Sequence, residues 1–145
     1  MIKKLLIGAA TVCIAGPASA YVTGNYGDHG TDANKRTHIL VVARGKDLAT
    51  QLQETAAAKA KKIKELYPND QIYLVGVNET KSKDNLELLR QYGFKNVVEN
   101  KRVKLSVEQL LVEMGKFNKI ASVNVYSHST AYYGVMLEGS LKRMD

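Results

Sequence analysis

The stretch YPNDQIYLVGVN, residues 67–78, holds a helix end, a turn and a strand in immediate succession. Pro68 pushes the residue before it out of the helical region, and Asn69-Asp70 supply turn chemistry. Gln71 to Val77 is then almost continuously apolar and rich in β-branched and aromatic residues. An unbroken run of this kind predicts a strand buried on both faces, because a half-buried strand would alternate.

Working backward, Ala49, Leu52, Ala56, Ala60, Ile63 and Tyr67 recur at steps of three and four. That spacing is one face of a helix, and Lys59, Lys61, Lys62 and Lys64 fall largely off it. Asp47 is placed to cap it, Arg44-Gly45 turns the chain, and His38 to Ala43 is a second buried strand. Working forward, a polar loop over 78–84 leads to a short helix over 85–92, with Leu86 and Leu89 inward. Gly93 suits the left-handed residue that follows a helix. Phe94 to Asn100, with Val97-Val98, reads as a weaker strand near an edge. Ser106 opens a third helix with Val107, Leu110, Leu111 and Met114 inward, and Ser106-Val-Glu-Gln109 has capping-box spacing. Ile120 to Tyr126 is the next strand, expected in the middle of the sheet.

The order is therefore β-α-β-α-β-α-β, followed by a short C-terminal hairpin. Strands alternating with helices imply parallel pairing through crossovers. The predicted class is α/β: a three-layer α/β/α sandwich on a mainly parallel sheet. Residues 38–145 form one domain, preceded by an irregular arm over 21–37 whose Gly, Asn, Asp and Thr residues show no apolar period.

Residues 1–20 read as a signal peptide: Lys3-Lys4, an apolar run from Leu5 to Ala15, and Ala18-Ser19-Ala20 as the cleavage site. The protein is accordingly expected to be exported through a Sec-type route, periplasmic or extracellular, and free of the membrane once cut. Cys13 is the one cysteine of the chain and would leave with the leader. The remaining 125 of the 145 residues would then hold no disulfide, thiolate ligand or cysteine nucleophile. Losing Lys3 and Lys4 lowers the formal charge from +7 to +5. The basic residues are dispersed and lack aromatic interleaving, so no nucleic-acid partner is expected. Asp28-His29 is a neighbouring pair without metal-site spacing, and no phosphate or dinucleotide loop occurs; neither metal nor cofactor is expected.

The chemistry-bearing stretch is SVNVYSHSTAYYGVMLEG, residues 122–139. It carries a strand into Ser127-His128-Ser129, with Tyr133 close behind. Ligands of parallel sheets gather beyond the carboxyl ends of the strands, which places Arg44, Asn78 and Ser127 to Ser129 on one rim. From Gln71 on, the order of features resembles the caspase-like cysteine peptidase fold of caspases, metacaspases and related bacterial domains. Leu74-Val-Gly-Val-Asn78 is similar to its first strand and Leu88-Leu-Arg-Gln-Tyr-Gly-Phe94 to its first helix. Val97-Val-Glu99 is similar to the second strand, Leu105 to Leu111 to the next helix start, and Asn124-Val-Tyr-Ser-His-Ser129 to the third strand. The resemblance spans residues 71–139 and implies that His128 is the catalytic imidazole, with Ser127, Ser129 and Tyr133 as neighbours.

The departures carry chemistry too. Ser129 stands where that family has glycine, and the nucleophilic cysteine of the next strand is missing. Without a thiolate there is no covalent catalysis of that kind. The expectation is an exported, truncated or degenerate caspase-like domain without peptidase activity of its own. An alternative is a serine hydrolase with Ser129 in an elbow-like Ser-His-Ser-Thr-Ala131, although no histidine follows His128 to complete a triad. A further alternative is a non-enzymatic domain that grips a peptide or protein, in which His128 and its serines cap a strand. If the neighbour of the strand over 120–126 is absent, its open edge favours self-association. Mass spectrometry of the exported protein should find Tyr21 as the first residue; a mature chain that still begins at Met1 would refute the cleavage site.

Overall fold

The computed structural model describes residues 20–27, 30–43, 49–77, 84–101, 103–127, 129–130 and 134–135. Strands β1 (Ala20–Tyr26), β2 (Arg36–Val42), β3 (Gln71–Val77), β4 (Phe94–Lys101) and β5 (Lys119–Tyr126) form one mixed sheet in the order β4-β1-β3-β2-β5. Three helices lie between them in sequence: α1 (Ala49–Leu66), α2 (Asp84–Gln91) and α3 (Val107–Met114). A short ladder joins β6 (Ser129–Thr130) to β7 (Gly134–Val135), ahead of the hairpin expected to turn at Glu138-Gly139, which lies outside the described residues.

The α/β class follows the sequence reading. Strands β2, β3 and β5 run parallel, with Ile39 opposite both Tyr73 and Val123. Strand β3 is buried along its whole length, as its unbroken apolar run requires. The residues of these strands divide between two clusters. Ile39, Val41, Tyr73 and Val75 pack with Leu105 and Phe117, joined by Leu110 and Met114 of α3. Leu40, Val42, Ile72 and Leu74 pack with Ala56, Ala60 and Ile63 of α1 and Leu89 of α2. Of the faces read from the sequence, Leu52, Ala56, Ala60 and Ile63 of α1 and Leu86 and Leu89 of α2 pack inward, whereas Tyr67, just past α1, is exposed.

Three expectations are corrected. Residues 20–26, at the leader boundary and the start of the supposed arm, form β1, which runs antiparallel between β3 and β4. Its Tyr21 and Val22 belong to opposite clusters, so both faces are covered and no alternation is needed. Gly24 sits where the β1–β4 register shifts, and a Cβ there would lie 3.3 Å from the Lys95 carbonyl oxygen. Buried Asn25 is satisfied by donating to Thr31 Oγ1 at 3.0 Å. Those polar and glycine residues are what made the stretch look like a loop.

The second correction concerns α3. Leu110 and Met114 pack inward, but Val107 and Leu111 are exposed and Glu113 is buried. The helix is thus rolled toward a Leu110, Glu113, Met114, Phe117 stripe. Its cap is half the expected box: Ser106 Oγ accepts from the Gln109 backbone N at 3.1 Å, while the Gln109 side chain goes elsewhere. The third correction is that β5 lies at the sheet edge beside β2, not in the middle. Strand β4 occupies the other edge, as its sequence suggested.

Gly93 ends α2 with φ +99°, and its N–H bonds Arg90 O at 3.0 Å. A Cβ at Gly93 would come within 3.1 Å of the Tyr26 ring, whereas Gly27, with φ +93°, has open space around it. Gly27→Ala should therefore lose only the left-handed backbone term, about 1–2 kcal/mol. Gly93→Ala should lose more, because the Tyr26 ring must also shift. Urea unfolding of the two variants side by side checks this, and equal losses would show that Tyr26 yields freely.

Candidate functional site

Of the residues singled out from the sequence, Ser127 follows the end of β5 directly. The ends of β2 and β5 are tied there by Ala43 N donating to Tyr126 O at 2.8 Å. Ser129 lies in β6, opposite Val135. Arg44, Asn78, His128 and Tyr133 fall outside the described residues, as do Asp28 and His29. Among the described residues no group of three or more His, Cys, Asp or Glu side chains is placed to hold a metal ion. No described helix is long and apolar enough to cross a membrane.

The best-formed polar constellation sits at the opposite end of the strands. His38 and Ser122 are register partners on adjacent parallel strands, so their side chains leave the same face. His38 Nδ1 lies 2.7 Å from Ser122 Oγ, and His38 Nε2 lies 2.8 Å from Asp70 Oδ2. Asp70 is the last turn residue before β3, and the same carboxylate oxygen accepts from Arg36 at 3.0 Å. An ionised carboxylate only accepts, so Nε2 carries the proton that faces Asp70. In the neutral ring Nδ1 then accepts from the Ser122 hydroxyl. Tyr67 stacks on the imidazole with ring centroids 5.4 Å apart, and the Arg36 guanidinium lies 5.1 Å over the Tyr67 ring. His38 is only 4% exposed, while Ser122 is half-buried. Asn124, two residues on and so on the same face, brings Nδ2 within 3.4 Å of Ser122 Oγ.

Sequence reasoning missed this group because its members lie far apart in the chain and belong to separate elements. One signal was available. His38 and Ser122 are polar residues within or beside otherwise apolar runs, and a buried strand keeps such residues only where each finds a partner.

A second constellation lies under α3. Glu113, 2% exposed, accepts from Tyr73 Oη at 2.8 Å and Tyr21 Oη at 3.3 Å. Lys116 Nζ reaches the same carboxylate at 2.7 Å. Tyr21 Oη in turn accepts from Gln109 Nε2 at 2.9 Å and Asn100 Nδ2 at 3.0 Å. The group joins β1, β3, β4 and α3. It is closed over by Phe117, whose ring meets Tyr73 edge-on at 4.8 Å.

The third feature is the outer face of β5. Val123 and Val125 are 41% and 43% exposed, and Ile120 is 39% exposed. Among the described residues β2 is its single neighbour, so β5 presents one row of backbone donors and acceptors outward. At its start Lys119 stands opposite Arg36, whose guanidinium is paired with Asp70. Comparison of the chain with family models, with curated proteins and with solved structures finds no match.

Burial is the main cause that pushes the Tyr73 phenol up, with Glu113 adding to it and Thr23 opposing. A raised phenol binds its proton more tightly in the folded state. Its contribution is therefore complete below the unfolded phenol value, about 10, and is lost as pH climbs beyond it. Tyr73→Phe should flatten the alkaline fall in stability relative to wild type while lowering stability near neutral pH. Melting temperatures across the alkaline range measure both effects, and parallel curves for the two proteins would disprove the assignment.

Proposed function

We propose that the chain is an exported domain that binds a partner by strand addition, taking an extended acidic protein segment along the outer edge of β5. The observation that carries this is the outward row of β5 backbone groups, flanked by half-exposed Ile120, Val123 and Val125. An added strand bonds to the backbone groups that have no partner among the described residues, and alternate side chains of the segment meet the valines. Charge chooses among occupants. Without the leader the chain is formally +5, and Lys119 stands at the start of the edge. A second copy brings like charge to this edge, whereas an acidic segment brings attraction.

The layered arrangement belongs to the same proposal: α3 on one face of the sheet and α1 with α2 on the other. The division of the core into two clusters supports it. Kinship with caspase-like domains is the reading for residues 71–139, supported by the order β3-α2-β4-α3-β5. In that kinship His128 is the counterpart of the catalytic imidazole. The chain beyond Ala20 has no cysteine to serve as the nucleophile, so binding and not peptidase chemistry is the function proposed. Export rests on the leader features of residues 1–20.

The test uses a fluorescent peptide of alternating valine and glutamate residues. Anisotropy should show binding by the wild type that weakens as salt rises, since exposed charges are screened over about 10 Å at 0.1 M. The Val123→Glu/Val125→Glu protein should bind at least about tenfold more weakly, because its carboxylates repel those of the peptide across the added pair of strands and the apolar contacts are lost. Equal binding by the two proteins would reject the edge as the site. Light scattering separates this occupant from another copy of the chain: a concentration-dependent dimer abolished by the same double substitution would replace the acidic segment with self-association.

A further inference from the structure

The cluster at the amino ends of β2 and β5 holds more than a structural clasp requires. We infer that Ser122, His38 and Asp70 form an acyl-transfer site, with Asn124 as oxyanion donor, which hydrolyses carboxylic esters. A nucleophile, a base and an orienting acid must stand within hydrogen-bond reach of one another in that order. Here the two distances are 2.7 Å from Ser122 Oγ to His38 Nδ1 and 2.8 Å from His38 Nε2 to Asp70 Oδ2. Asp70 fixes the tautomer that leaves the Nδ1 lone pair facing the hydroxyl. Arg36, at 3.0 Å, anchors the carboxylate, and Tyr67 holds the plane of the imidazole.

A clasp would need only the first three side chains. Asn124 adds an amide N–H directed at the nucleophile from 3.4 Å, longer than a good hydrogen bond. Such a donor is placed to turn to an oxygen on a carbon newly bonded to Oγ, where charge develops. Accessibility follows the same division of labour. His38 is buried under Tyr67, while Ser122 and Asn124 are half-buried. An ester therefore reaches the site from the Ser122–Asn124 side.

In the first half-reaction Ser122 Oγ bonds to the ester carbonyl carbon as its proton passes to His38 Nδ1. The carbonyl oxygen becomes an oxyanion held by Asn124 Nδ2. The intermediate collapses by breaking the bond to the alcohol oxygen, which takes the proton back from His38. Water then attacks the acyl-serine in the same way, giving its proton to His38. The carboxylic acid leaves as Ser122 regains its proton. The site needs no co-reactant besides water, and it stands independently of strand addition at the outer edge of β5.

The test treats the full-length protein with a fluorophosphonate and locates the adduct by mass spectrometry, in parallel with hydrolysis of p-nitrophenyl acetate. The adduct should lie on Ser122, and Ser122→Ala should lose both labelling and all hydrolysis above background with its circular dichroism unchanged. Asn124→Ala should lower kcat by about 100-fold or more, as loss of an oxyanion donor does. Asp70→Asn, acting through His38, should lower kcat at least about 100-fold with KM unchanged, because it disturbs the tautomer and not the acyl pocket. No label, a label on Ser127 or Ser129, or hydrolysis by Ser122→Ala equal to wild type would overturn the proposal.

Discussion

A carboxylate cannot be taken out of water alone, and the way Glu113 is accommodated constrains much of this fold. Its two oxygens are met by phenols from β1 and β3 and by Lys116 one turn further along the chain. Removing one partner of such a group leaves polar atoms unpaired, at about 1–3 kcal/mol or more where charge is involved. Tyr21, Tyr73 and Glu113 therefore set one another's positions. That fixes the roll of α3, and Leu110 and Met114 follow into the apolar cluster while Val107 and Leu111 are carried outward. The same network reaches Asn100 of β4 through Tyr21, so it spans the central part of the sheet from β3 to an edge.

How legible this was in the sequence depended on how local the deciding interaction is. Strands β2 and β3 announce themselves by unbroken apolar runs, α1 by its spacing, and the end of α2 by Gly93. Each is settled by neighbours within a few positions. Strand β1 is not, because the partners that make Asn25 and Gly24 acceptable in a sheet lie on other segments. The face of α3 was misread for the same reason. Leu111 looks like core by composition, and Glu113 looks like surface until two tyrosines far away in sequence are brought to it. The edge placement of β5 is a property of topology, which hydrophobicity within the strand does not encode.

The candidate site shows the same limit. His128, flanked by serines, drew notice because chemistry-bearing residues stood side by side. His38 stood at the head of an apolar strand and looked like a boundary residue. Its partners, Asp70 and Ser122, come together only through the parallel pairing of β2 with β3 and β5. Parallel sheets usually present ligands beyond their carboxyl ends, the rim that Ser127 occupies. The polar network at the opposite end is set by register instead: His38 faces Ser122 because the β2–β5 ladder shifts between Thr37 and His38. A ladder without that shift would have put another residue beside the imidazole.

The place of β1 also orders events in time. Its two neighbours, β3 and β4, are encoded by residues 71–101, so the first strand synthesised has no slot until much of the chain has emerged. It must wait, unpaired, while later segments gather, and such long-range closure slows folding.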